Sequence, residues 1–169
     1  NIIFLICYFK SILVYKSLLL MQVPIFPKVV RIEPASQCNL MCSHCPTGTI
    51  DMSRGLMEYK IFKKVLTEIK TYKDYVKVVV LYHGGEPLLN KKIFEMIKEL
   101  KDIKSDLFIK TVSNGMALNK TNADKILASK LDSIEFSLDG QSAEESEEIR
   151  IGSSTNNIVS NINYLLKER

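Results

Sequence analysis

Four short strand-like runs alternate along this chain with stretches of helical periodicity, and few folds accept such a sequence. The runs are VVRIEP (29–34), YVKVVVLY (75–82), LFIKTVSNG (107–115) and SIEFSLDG (133–140). Each reads as a strand, three of the four closing on proline or glycine. The second is nearly continuous apolar, as a strand covered on both faces of a parallel sheet must be. Residues 57–69 place Met57, Ile61, Phe62, Val65, Leu66 and Ile69 on one helical face. Asn90 is placed to cap a helix that buries Ile93, Phe94, Ile97 and Leu100. A short helix is expected around 122–129, and Ser142 with Glu145 forms a capping box that opens an acidic helical turn. In 156–168, Ile158, Val159, Ile162, Leu165 and Leu166 fall on one side of a last helix. The order β-α-β-α-β-α-β-α predicts an α/β fold with parallel strands, right-handed crossovers and helices outside.

The strand ends carry the functional signal. SQCN, HGGEP, SNG and SLDG are poor at continuing a strand and good at binding ligands. In α/β barrels and open α/β sheets, ligands gather at the carboxyl ends of the strands, so all four groups converge on one rim.

The chain's 169 residues suffice for one domain with a core, and not for two. Its net charge of +4 is spread out, with no Lys/Arg block and no interleaved aromatics, so nucleic-acid binding is not expected. Residues 1–20 are strongly apolar, but Lys10 and Lys16 leave no uninterrupted run of about 18 apolar residues for a membrane span. A secretory signal would lead with its charges and end in a small-residue cleavage site, and neither is present. Met21 opens a segment that behaves like a natural start. Residues 1–22 are therefore set apart as an apolar N-terminal extension outside the functional fold, with a peripheral membrane anchor as the second reading. Residues 23–169 form the expected domain.

Three of the four cysteines fall within SQCNLMCSHCP, spaced Cys38-x3-Cys42-x2-Cys45. A secreted disulfide scaffold would spread them in pairs. A tight odd-numbered cluster reads as metal ligation in a reducing compartment, by default the cytoplasm. Thiolates suit both iron–sulfur clusters and zinc. Three on one loop can wrap a cubane and leave one iron without a protein ligand, and an open iron is a reaction site. A Cys3His zinc site completed by His83 is the rival; His44, between two cysteines, is poorly placed for it. On spacing alone the two stand even. A c-type haem would need histidine where Pro46 stands, and a redox pair at Cys42 and Cys45 leaves Cys38 unexplained. Cys7 reads as a buried apolar residue.

These phrases resemble the radical S-adenosylmethionine (SAM) superfamily: the cysteine loop after strand one, Gly84-Gly85-Glu86-Pro87 after strand two, Ser113-Asn114-Gly115 after strand three and SLDG after strand four. The wording IEPASQCNLMCSHCP and LYHGGEPLLN is most similar to members with a C-terminal SPASM extension. The resemblance covers about residues 23–169. It implies a partial (βα)6 barrel in which Cys38, Cys42 and Cys45 ligate a [4Fe–4S] cluster while S-adenosyl-L-methionine chelates the fourth iron. Gly84, Gly85 and Glu86 would line the amino end of that nucleotide, with Ser113, Asn114, Ser137 and Asp139 near its ribose or carboxylate. His44 would sit near the adenine. The implied activity is reductive cleavage of SAM to a 5′-deoxyadenosyl radical that abstracts hydrogen from a substrate, such as a peptide or protein. It needs a flavodoxin- or ferredoxin-like one-electron donor.

Plainer readings stand beside these. The glycine pair, the SNG sequence and Asp139-Gly140 are also ordinary turn formers. Arg150 sits where members of that family often have an arginine near SAM, but on the sequence alone it reads as a surface residue paired with Glu147 on the same helical face. Met41, Met52 and Met57 read as packing. The family's complete domain has six βα units and this chain about four. It is therefore expected to be a C-terminally truncated, inactive fragment whose fourth strand exposes an aggregation-prone edge. A Cys3His interaction module, or a relative that binds a cluster without turnover, are the competing functions.

Overall fold

The computed structural model describes residues 26–169. The apolar extension at 1–22, with Met21 and Cys7, lies outside the described residues. Four strands form one parallel sheet in the order β1-β2-β3-β4: β1 Val29–Ile32, β2 Val78–Leu81, β3 Phe108–Ser113 and β4 Ser133–Phe136. Six helices accompany them: α1 Pro46–Thr49, α2 Tyr59–Thr71, α3 Ile93–Ile103, α4 Lys120–Ala128, α5 Ala143–Ile149 and α6 Thr155–Lys167. A 3-10 turn covers Pro87–Leu89. The expected alternation is present, and strand order equals chain order because each crossover returns to the next position of the sheet.

Register brings the strand ends together. Ile32 lies opposite Leu81, and Ser113 opposite Phe136. The loops that leave β1, β2 and β3 therefore start at one edge. The periodic residues explain the packing beneath them. Phe62, Leu66 and Ile69 of α2 are buried, and so are Ile93, Met96, Ile97 and Leu100 of α3. They join Val79, Leu81 and Ile109 of the sheet in one core cluster.

Three local expectations are corrected or refined. Asn90 does not cap α3, whose N-cap is Lys92. Its Oδ1 accepts from the Lys92 backbone N–H at 3.0 Å, while its buried Nδ2 donates to the carbonyls of Pro34 (2.8 Å) and Met57 (3.3 Å). It latches the β1 loop to the turn after β2, because the 3-10 turn delays the helix. Ser142 does cap α5, accepting from Glu145 N–H at 3.2 Å. The returning Glu145 carboxylate accepts from the Gln141 N–H instead of the Ser142 N–H. Met41 and Met52 face solvent at 63% and 57% exposure and do not pack, whereas Met57 packs against the core.

No helix among the described residues is long and apolar enough to cross a membrane. Phe62 is wholly buried between α2 and the sheet. Phe62→Ala is expected to lower unfolding stability by about 3–5 kcal/mol, read as a fall in denaturant midpoint with little change in slope.

Candidate functional site

The cysteine loop is tied down from several directions. Ser36 N–H donates to the Gly55 carbonyl, Gly55 N–H donates back to Ser36 Oγ, and Met57 N–H donates to the Pro34 carbonyl. These bonds fold the loop's far half against its near half. Cys45 precedes α1, and its carbonyl accepts from Gly48 N–H, Thr49 N–H and the Thr49 hydroxyl. At the other side, Met41 N–H and Ser43 N–H donate to the carbonyls of Ile151 and Ile149, at the end of α5 and just beyond.

The turn after β2 docks on the same loop. Glu86 N–H donates to the Gln37 carbonyl at 2.9 Å, Thr47 Oγ1 donates to the Gly84 carbonyl at 2.8 Å, and Gly84 N–H donates to Glu33 Oε1 at 2.8 Å. A Cβ at Gly85 would overlap the Ala35 carbonyl oxygen and lie 2.6 Å from that of Gln37. The second glycine is thus required by loop packing itself. At Gly84 the nearest atoms are side-chain oxygens at 3.2 and 3.5 Å, a tighter fit than usual but not a collision with backbone.

Glu86 is 1% exposed and accepts three donors: Leu88 N–H (3.0 Å), the Ser113 hydroxyl (2.9 Å) and Asn114 N–H (2.7 Å). Burial pushes its carboxyl above the ordinary range, and the three donors pull it partly back. Ser113 Oγ also accepts from Gly115 N–H, so this hydroxyl is fully committed to the turn.

Cys38, Cys42 and Cys45 all line one hollow at the rim. Of the other predicted site residues, His44, Gly84, Gly85, Glu86, Ser113, Asn114 and Ser137 line it too, and Asp139 does not. Asp139 reaches it through Arg150, whose Nε lies 2.6 Å from Asp139 Oδ2. This overturns the expected surface position of Arg150. The residue is 8% exposed and lines the hollow, while Glu147 accepts from Thr155 N–H. Sequence reasoning also missed Tyr82, which closes the hollow after β2. A tyrosine ending an apolar strand looks like more strand, and the Arg150 partner lies across a turn, so neither carries a local signal.

The thiols feel this environment. Burial pushes the Cys42 thiol up, and the neighbouring thiols add to that, while the Arg150 charge works against both. Burial also raises Cys45, but hydrogen bonding from the Thr47 backbone and side chain and from the Gly48 backbone, with the Arg54 charge adding to it, outweighs burial and leaves that thiol below its ordinary value. His83 is exposed and does not line the hollow. Among the described residues, no three His, Cys, Asp or Glu side chains converge as ligands of a single ion. A Cys3His zinc centre is therefore unsupported.

The family model of the radical SAM superfamily matches residues 32–169. A tungsten-containing aldehyde ferredoxin oxidoreductase cofactor-modifying protein of Pyrococcus furiosus is 28% identical over 112 residues, covering 66% of this chain and 31% of that protein. A GTP 3′,8-cyclase of Nautilia profundicola is 26% identical over 142 residues, covering 82% of this chain and 43% of its own length. In fold, the chain is similar to Streptococcus suis SuiB, solved with S-adenosylmethionine and with the precursor peptide SuiA. The TM-score is 0.68 at 21% identity in both, over 84% of this chain and 32% and 31% of SuiB. The chain spans less than half the length of each of these proteins.

Two outcomes follow from the packing of the β2 turn. Gly85→Ala is expected to lower the melting temperature sharply, whereas Gly55→Ala, where an added Cβ meets nothing within 4 Å, is expected to leave it unchanged or slightly raised. Glu86→Gln places an amide N–H₂ against a donor and should cost about 1–3 kcal/mol at neutral pH by chemical denaturation. Because the folded carboxyl titrates above its ordinary value of 4.5, its stabilising contribution is fully present below that pH and declines as pH rises. The stability gap between wild type and Glu86→Gln should therefore narrow with rising pH.

Proposed function

The chain belongs to the radical SAM superfamily, and from that membership we propose that residues 23–169 are a core domain in which Cys38, Cys42 and Cys45 hold a [4Fe–4S] cluster beside a bound S-adenosyl-L-methionine. The observation that carries this reading is the meeting of three thiols from one short loop with the Gly84-Gly85-Glu86 turn around one hollow. Three protein ligands leave one iron corner free, and the adjoining turn offers a surface with little side-chain bulk where a nucleotide can approach. Bound there, the two groups would supply reductive cleavage of the sulfonium to a 5′-deoxyadenosyl radical for hydrogen abstraction.

The protein's own work is placement and shielding. Arg150 brings a buried positive charge to Cys42, which favours its anionic, ligating form. His44 and Tyr82 stand at the hollow as bulky groups that can flank a nucleotide base and limit water. Gly84 keeps its side approachable, while Gly85, Glu86 and Ser113 fix the turn's position. Ser137 lines the opposite strand end, and Asp139 acts by orienting Arg150.

The substrate reading is a peptide or protein, as in relatives with a SPASM extension. It is supported by the fold shared with SuiB, which was solved with a precursor peptide. A flavodoxin- or ferredoxin-like donor would deliver the electron, in a reducing compartment such as the cytoplasm that keeps the three thiols free.

Anaerobic reconstitution with iron and sulfide, followed by Mössbauer and electron paramagnetic resonance spectroscopy, tests the reading. A four-iron centre is expected in the wild type, with a spectrum altered by added SAM, and 5′-deoxyadenosine should form after dithionite reduction. Cys38→Ala, Cys42→Ala and Cys45→Ala should each lose most of the cluster. A protein that takes up no four-iron centre, or one indifferent to SAM, would overturn it.

A further inference from the structure

Asn114 makes contacts that a nucleotide-binding side chain does not need. Its backbone N–H donates to Glu86 Oε2, and its Oδ1 accepts from Met116 N–H at 2.9 Å. Because a backbone donor occupies one end of the side-chain amide, that end is the oxygen and the other is the N–H₂. The N–H₂ end points across the rim, 2.9 Å from Asn39 Oδ1 and 3.6 Å from Cys38 Sγ. The residue is 6% exposed, so water competes little for these hydrogens. Both have a partner: one goes to the Asn39 oxygen and the other to the sulfur. The amide cannot rotate away without breaking the Met116 bond.

We propose that Asn114 is a positioning residue for the iron–sulfur centre: it donates an N–H···S hydrogen bond to the Cys38 thiolate and thereby sets the centre's reduction potential. The inference rests on the cluster reading above. A hydrogen bond to a ligating sulfur draws electron density from it and favours the more negatively charged, reduced state, so it raises the potential. Asn39 completes the device by orienting the amide from the sulfur's own loop. The device also links strand ends: the side chain that touches Cys38 belongs to the residue whose backbone is clamped by Glu86, so a shift of the β2 turn alters the donor to the sulfur.

The test compares wild type with Asn114→Ala and Asn114→Asp, each reconstituted anaerobically and matched for iron content. Asn114→Asp keeps the oxygen that accepts from Met116 but replaces the N–H₂ donor with a charged oxygen that lowers the potential by itself, so where the alanine variant fails to fold it is read by the loss of the deuteron coupling. Both variants should titrate at a more negative midpoint potential. Pulsed electron–nuclear resonance of the reduced wild type in deuterium oxide should show an exchangeable deuteron coupled to the centre that both variants lose. Wild type carrying 15N-labelled asparagine should show a weak nitrogen coupling, which decides the matter if neither variant folds. Unchanged potentials and couplings in variants with full clusters, or no 15N coupling in the labelled wild type, would overturn the inference and leave the cluster reading intact. Failure of the wild type itself to form a four-iron centre would instead remove the cluster reading and this inference with it.

Discussion

The rim of this sheet depends on the buried carboxylate of Glu86. Parallel strands are joined by long crossovers, so the loops that leave their carboxyl ends are not tied to one another by hairpin turns. Something else must hold them. Glu86 gathers donors from its own turn and from the end of β3, while its backbone N–H binds the loop after β1. One residue thereby fixes three loop segments. Burying a carboxylate is costly unless its lone pairs are met, and three donors meet them. An apolar side chain of the same volume would fill the space but leave the Leu88 and Asn114 N–H groups and the Ser113 hydroxyl without an acceptor.

Close approach does the rest. The absence of a side chain at Gly85 lets the β2 turn lie against the carbonyls of Ala35 and Gln37, and Gly115, at φ +77°, passes against Ile158 of α6. Together with the Met41 and Ser43 bonds to the end of α5 and just beyond it, these contacts hold the cysteine loop from both of its sides. A short thiol has little reach, so its direction is set by backbone. A loop already held in shape loses less conformational entropy when it takes up a ligand, which favours tight binding without extra contacts.

The elements that were legible in the sequence are those fixed by period. Short apolar runs became strands, and the spacing of Phe62, Leu66 and Ile69 became the buried face of α2. The rim was legible because turn residues at strand ends must lie at one edge of a parallel sheet. What was hidden is tertiary. Asn90 has the chemistry of a cap, but an intervening 3-10 turn moves it off the helix and makes it a latch. α1 was not foreseen, since Pro-Thr-Gly-Thr has weak helical preference and is held by the Cys45 carbonyl. Arg150 looked like half of an i, i+3 surface pair because that geometry is available on any helix. Its actual partner, Asp139, is reached only because α5 ends and turns the side chain inward.

That pair also decides the sign of the field at the hollow. Three thiols share the space, and burial, with the neighbouring thiols adding to it, raises Cys42, so an uncompensated site would resist holding three thiolates. Arg150 is the counterweight, and Asp139 threatens to cancel it. The two side chains are screened unequally, however: Arg150 is 10% exposed and Asp139 38%. Water damps the carboxylate's charge more than the guanidinium's. Asp139 therefore orients Arg150 at the cost of only part of its charge, and Cys42 keeps a positive neighbour. An arginine paired with a fully buried acid would have been as well oriented and far less useful.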